Sequence, residues 1–155
     1  MMTAKDWVKK RAECTLPNLF AALERQIRAD VCAYNCLSRE NETGRYFAVG
    51  PKPAGPHEVE RTIGESAFAV CHGEWRDKAY HQVEGYFPQE DNDDCIALEI
   101  RGGKILACRT GGKPLEISTW WNDDTLTCDY FVGDKAMNLA QLSQRIIGDF
   151  LFETS

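Results

Sequence analysis

The chain has 155 residues, a formal net charge of −6, 43% hydrophobic and 27% charged residues, the balance of a globular protein, and its length suits one domain spanning 1–155. The acidity argues against non-specific nucleic-acid binding, which needs a basic patch. No run of about 18 apolar residues offers a membrane span. The N-terminus, MMTAKDWVKKRAEC, has no apolar core of the signal-peptide kind. Seven cysteines, an odd number, read as small buried hydrophobes in a reducing, cytoplasmic setting.

Taken in order, residues 3 to 13 predict a short helix, with Thr3 as N-cap and Trp7, Val8 and Arg11 near one face. Leu16-Pro17 opens a second helix, proline being favoured in a first turn. Leu16, Phe20, Leu23, Ile27, Val31 and Tyr34 recur at spacings of three and four, an apolar stripe that needs a partner surface. A polar turn is expected at 38–44, then a short strand from Arg45 to Val49. The run Gly50 to Pro56 carries three prolines and reads as a loop. A hairpin is expected between 57–63 and 66–72 about Gly64-Glu65, and a strand from Ala79 to Phe87. An acidic loop follows from Pro88 to Asp94.

From Cys95 to Val132, alternating apolar runs are broken by Gly102-Gly103, Gly111-Gly112 and Asn122-Asp123-Asp124, the signature of consecutive hairpins. Side chains alternate across a strand, so loop length decides which residues share a face. A two-residue loop at Asp123-Asp124 pairs Trp121 with Leu126 and Ile117 with Tyr130. A two-residue loop at Gly111-Gly112 sets Cys108 against Leu115 and Leu106 against Ile117. At Gly102-Gly103 a three-residue bulged loop, starting from Arg101, pairs Leu98 with Leu106. These registers gather Ile96, Leu98, Ile100, Leu106, Cys108, Leu115, Ile117, Trp121, Leu126, Cys128, Tyr130 and Val132 on one face. Gly133-Asp134 stops the last strand. Asp134 is the expected cap of a closing helix carrying Met137, Leu139, Leu142, Ile146 and Phe150.

Little in the chain carries chemistry. Cys32 and Cys36 lie four residues apart on the second helix, but a structural zinc site needs four ligands and no second pair exists. Core cysteines are the expectation, and no metal or other cofactor is expected. The run Glu90 to Asp94 lacks the glycine and distal glutamate of a calcium loop. His57, His72 and His81 lie near Glu58, Glu60, Glu74 and Glu84, where a His–Glu acid–base pair is conceivable but not required by the spacing. Thr110-Gly111-Gly112-Lys113 is no phosphate loop, because Pro114 prevents a helix there.

Adjacent Trp120 and Trp121 must point to opposite faces of a strand. The expected register sends Trp121 inward and leaves Trp120 outside with Phe131, a candidate contact surface for a protein partner or a homodimer. Tyr80, Tyr86 and His72 complete the candidate ligand- or partner-binding set.

The expected class is α+β. One curved antiparallel meander of roughly six to eight strands is flanked by an N-terminal helical segment and a C-terminal helix. That order is similar to the helix-grip arrangement of small ligand-binding proteins, in element order only. The first strand of that arrangement has no counterpart, and no residue matches a family motif. Three functions follow as expectations: first, a non-enzymatic interaction module of the chaperone, adaptor or inhibitor kind; second, a binder of a small apolar ligand between the sheet and the C-terminal helix; third, an enzyme using a His–Glu site.

Overall fold

The computed structural model describes residues 4–40, 46–50, 67–73 and 95–153. Helices α1 (Ala4–Ala12) and α2 (Leu16–Glu40) precede seven strands. These are β1 (Tyr46–Gly50), β2 (Ala67–Gly73), β3 (Cys95–Arg101), β4 (Lys104–Arg109), β5 (Leu115–Asn122), β6 (Thr127–Val132) and β7 (Lys135–Met137). Helix α3 (Leu139–Phe152) closes the described chain. The strands form one antiparallel sheet in sequence order, a pure meander. Of the sequence expectations, the strand at 79–87, the loop at 88–94 and residues 57–63 lie outside the described residues.

Helix α2 starts where Thr15 Oγ1 accepts the Asn18 N–H, and Pro17 occupies the first turn. Its buried stripe is Leu19, Phe20, Leu23, Ile27 and Val31, continued by Asn35 and Ser38. The helix runs on to Glu40, past residue 38 where the polar turn was expected to start. Cys32 is half-buried and Cys36 exposed, off that stripe, so neither is the core cysteine expected from the sequence.

Helix α3 starts later than expected. Asn138, not Asp134, is the N-cap: its side chain accepts the Gln141 N–H while the Gln141 side chain accepts the Asn138 N–H. Gly133-Asp134 instead turns the chain into β7, which pairs Val132 with Lys135. Leu142, Ile146, Ile147, Phe150 and Leu151 then face inward.

Both long helices cover one face of the sheet. Phe47, Val49, Phe68, Val70, Ile96, Leu98, Ile105, Ala107 and Ile117 come from the strands to meet them in a single core. Aromatic rings link the layers edge-on: Phe20 with Phe68 at 5.2 Å, Tyr34 with Phe47 at 5.3 Å, Phe47 with Phe150 at 5.1 Å. Polar groups in this interior are satisfied. Ser143 donates to Asp30 across the two helices at 2.6 Å, and Asn35 bonds the backbone of Phe47.

The registers depart from expectation at all three turns. Gly102-Gly103 forms a two-residue turn with both glycines at positive φ, so Ile100 faces Ile105 and no bulge forms. Between β4 and β5, Ile105 faces Ile117 and Ala107 faces Leu115. Those two one-residue shifts turn Leu106 and Cys108 to the outer face and bring Ile105 and Ala107 inside. The β5–β6 connection takes four residues, pairing Asn122 with Thr127 and Ile117 with Val132. That shift of two keeps parity, so Trp121, Cys128 and Tyr130 remain inward while Leu126 is spent in the turn at φ 55°. Strand β2 has β1 on one side and β3 on the other.

Four cysteines are paired rather than free. Cys14, at the α1–α2 corner, is bonded to Cys128 of β6, and Cys71 of β2 to the directly opposed Cys95 of β3. Reading all seven as isolated hydrophobes was therefore wrong for these, and Cys108 and Cys128 do not share a face. No helix among the described residues is long and apolar enough to cross a membrane.

Candidate interaction surface

The outer face of β5, β6 and β7 is built by alternation. Trp120 stands opposite Asp129, and the row Ser118, Phe131, Ala136 crosses the three strands beside it. Trp120 is 71% exposed, while Trp121, one residue on, is half-buried on the inner face. Phe131 is half-buried on the outer face beside it. The structure thus places Trp120 and Phe131 together where the sequence put them.

The groups around Trp120 are held in place. Asp129 accepts from Asn122 Nδ2 at 3.0 Å with one carboxylate oxygen and from Thr127 Oγ1 at 3.0 Å with the other. Asn122 Oδ1 in turn accepts the N–H groups of Asp124 and Thr125, fixing the four-residue turn. The result is a large exposed aromatic beside a pre-ordered polar cluster, which has the anatomy of an interface anchor and its rim. Sequence reading missed Asn122, Thr127 and Asp129 as rim residues, although Asn122 carried the turn signal that leads to them.

Of the other candidate residues, His72 is not brought to this surface. His72 belongs to β2, opposite Phe47 at the far side of the sheet. Tyr80 and Tyr86 lie outside the described residues, as do His57 and His81. No group of three or more His, Cys, Asp or Glu side chains capable of holding a metal occurs among the described residues.

Open grooves mark other parts of the described surface. One, of about 570 Å³, lies at the α1–α2 corner between Lys10, Arg25, Cys128 and Tyr130. A second, of about 520 Å³, separates β7 from α3. A third, of about 440 Å³, crosses the outer face over Ala97, Leu106 and Cys108. Where α3 meets the sheet, the space is filled by Phe150 against Phe47 and by Arg109, whose guanidinium lies 4.9 Å from the Phe150 ring centre. Arg109 also bonds Glu153 beyond the helix end.

One thiol departs from ordinary behaviour. Burial, and then the neighbouring Cys36, push the Cys32 thiol above the usual cysteine range. That makes Cys32 a poor nucleophile, the opposite of what a catalytic cysteine requires. Compared with known proteins, the chain matches no family model, no curated protein and no solved structure.

Proposed function

We propose that the chain is a non-enzymatic protein-interaction module whose partner docks on the outer face of β5 and β6. The observation that carries this reading is the 71% exposure of Trp120 next to an Asp129 already oriented by two hydrogen bonds. An indole left in water on a sheet gains little there. Buried in a partner's apolar pocket, it is the residue type that most often dominates a binding energy. The complementary surface therefore offers a pocket for the indole and hydrogen-bond donors toward Asp129.

The reading of a small apolar ligand under α3 has less support, since Phe150, Leu142, Ile146 and Ile147 fill the described part of that space. An enzyme built on a His–Glu pair draws no support from the described residues, which include His72 alone of the three histidines. The two disulfides favour an oxidising compartment over the cytoplasm expected from the sequence.

The test compares the wild-type protein with Trp120→Ala and with Leu37→Ala, an exposed apolar residue on α2, as baits in the source cell. A partner retained by wild type and Leu37→Ala but lost by Trp120→Ala, with unchanged circular dichroism, supports the assignment. Equal recovery by all three places the contact elsewhere.

A further inference from the structure

The two outer strands of the sheet, among the described residues, are finished differently. At β1, residues Phe47 and Val49 turn peptide groups away from β2, and α2 meets them. The Asn35 amide takes both the N–H and the C=O of Phe47, and Arg28 Nη1 reaches the Val49 carbonyl at 3.4 Å. At β7 the tight turn makes Val132 and Lys135 the hydrogen-bonded pair. The next pair, Phe131 and Ala136, is therefore a non-bonded one, and Ala136 directs its N–H and C=O to the open edge. Nothing among the described residues bonds them.

The same edge borders the groove between β7 and α3. Met137 and the 70%-exposed Phe152 supply apolar surface there, and Arg145 and Asp149 supply one charge of each sign. Among the described residues, neither Lys135 nor Arg145 has an ion-pair partner.

We propose that β7 pairs antiparallel with β7 of a second copy about a two-fold axis at Ala136. Three observations select a second copy over a foreign strand. Two outward-facing Ala136 peptide groups satisfy each other in a reciprocal exchange, the narrow pair of an antiparallel ladder. A register centred on Ala136 sets Lys135 opposite Met137 of the second copy, so like charges do not meet, and the reversed direction of α3 carries Arg145 toward Asp149 of the second copy. Finally, α2 already bonds both outward groups of Phe47 and the Val49 carbonyl on β1, which disfavours growth from that strand and suits a closed isologous pair over a fibre. This seam uses the in-plane edge of β7, whereas the Trp120 reading uses the outer face of β5 and β6.

Gel filtration with light scattering tests it across micromolar to millimolar protein. The expected mass is twice the 17.5 kDa of the chain. Ala136→Pro removes the outward N–H and leaves the bonds to β6 intact, and the expected product is a folded monomer. Since proline in a strand can impair folding, Arg145→Glu on the exposed side of α3 provides a second reading. It is expected to weaken the dimer about tenfold or more, with Asp149→Arg in the same chain restoring it. A wild-type monomer throughout that range overturns the proposal and leaves the Trp120 reading untouched. A dimer indifferent to Arg145→Glu, or one dissolved by Trp120→Ala, overturns it as well, the latter by moving the seam to the outer face.

Discussion

Asn35 and Phe47 are joined by a reciprocal pair of hydrogen bonds, Nδ2 to the Phe47 carbonyl at 2.9 Å and the Phe47 N–H to Oδ1 at 3.0 Å. A side-chain amide here takes the place of a strand neighbour for β1, the outermost of the described strands on this side. Asn35 has no exposed surface, so water cannot replace it. Asn35→Ala is expected to lose about 2–4 kcal/mol, because both backbone groups are left buried and unpaired. Urea unfolding measures the loss. Asn35→Asp should not rescue it, since an ionised carboxylate accepts the Phe47 N–H but cannot donate to its carbonyl. Both variants should also aggregate more readily through the uncovered β1 edge, which sedimentation reads directly.

The Cys14–Cys128 bond joins residues 114 positions apart and fixes the α1–α2 corner to β6. A further polar tie from α1 to the β5–β6 turn is the exposed Arg11–Asp123 pair at 3.7 Å, which is worth little. Cys14→Ser is expected to cost about 2–5 kcal/mol of stability. A reductant should open the same bond in wild type, together with Cys71–Cys95, with two electrons and two protons taken up per bond and an added dithiol oxidised in turn. Amide exchange should then rise first in α1. Free thiols counted after denaturation without reductant should number three, namely Cys32, Cys36 and Cys108.

Cys32 and Cys36 should alkylate at different rates although they share a helix. The raised Cys32 pKa means that less thiolate is present at neutral pH, so exposed Cys36 reacts first. The folded state holds the Cys32 proton more tightly than the unfolded state. Its contribution to stability is therefore full below the ordinary thiol pKa and is lost as pH rises through the folded value. Peptide mapping after timed alkylation at several pH values measures the order. Faster labelling of Cys32 at neutral pH contradicts it.

The helices were readable because a stripe at spacings of three and four has one interpretation, and α2 buries the residues that Leu23, Ile27 and Val31 announce. The strand order followed from the turns. Register did not, and β4 shows why. In Ile105-Leu106-Ala107-Cys108 both alternating sets are apolar, so the pattern alone cannot choose a face. The choice was made by the Gly102-Gly103 turn, whose positive φ angles match the twist of the flanking strands with two residues and no bulge. Parity survived at Asp123 because the error there was two residues, which is why Trp120 was placed correctly. The disulfides were not legible: no spacing rule joins Cys14 to a residue 114 positions away. The Asn138–Gln141 capping box was legible in principle and would have freed Lys135–Met137 to be a strand.

The most direct test of the interaction reading is native mass spectrometry of the protein recovered from its own cells, wild type beside Trp120→Ala. The account predicts that wild type carries an added protein-sized mass on its own chain or pair of chains. The variant should fold equally well and fly without that mass. A wild type that carries only a small molecule, or a partner held just as well without the Trp120 indole, contradicts it.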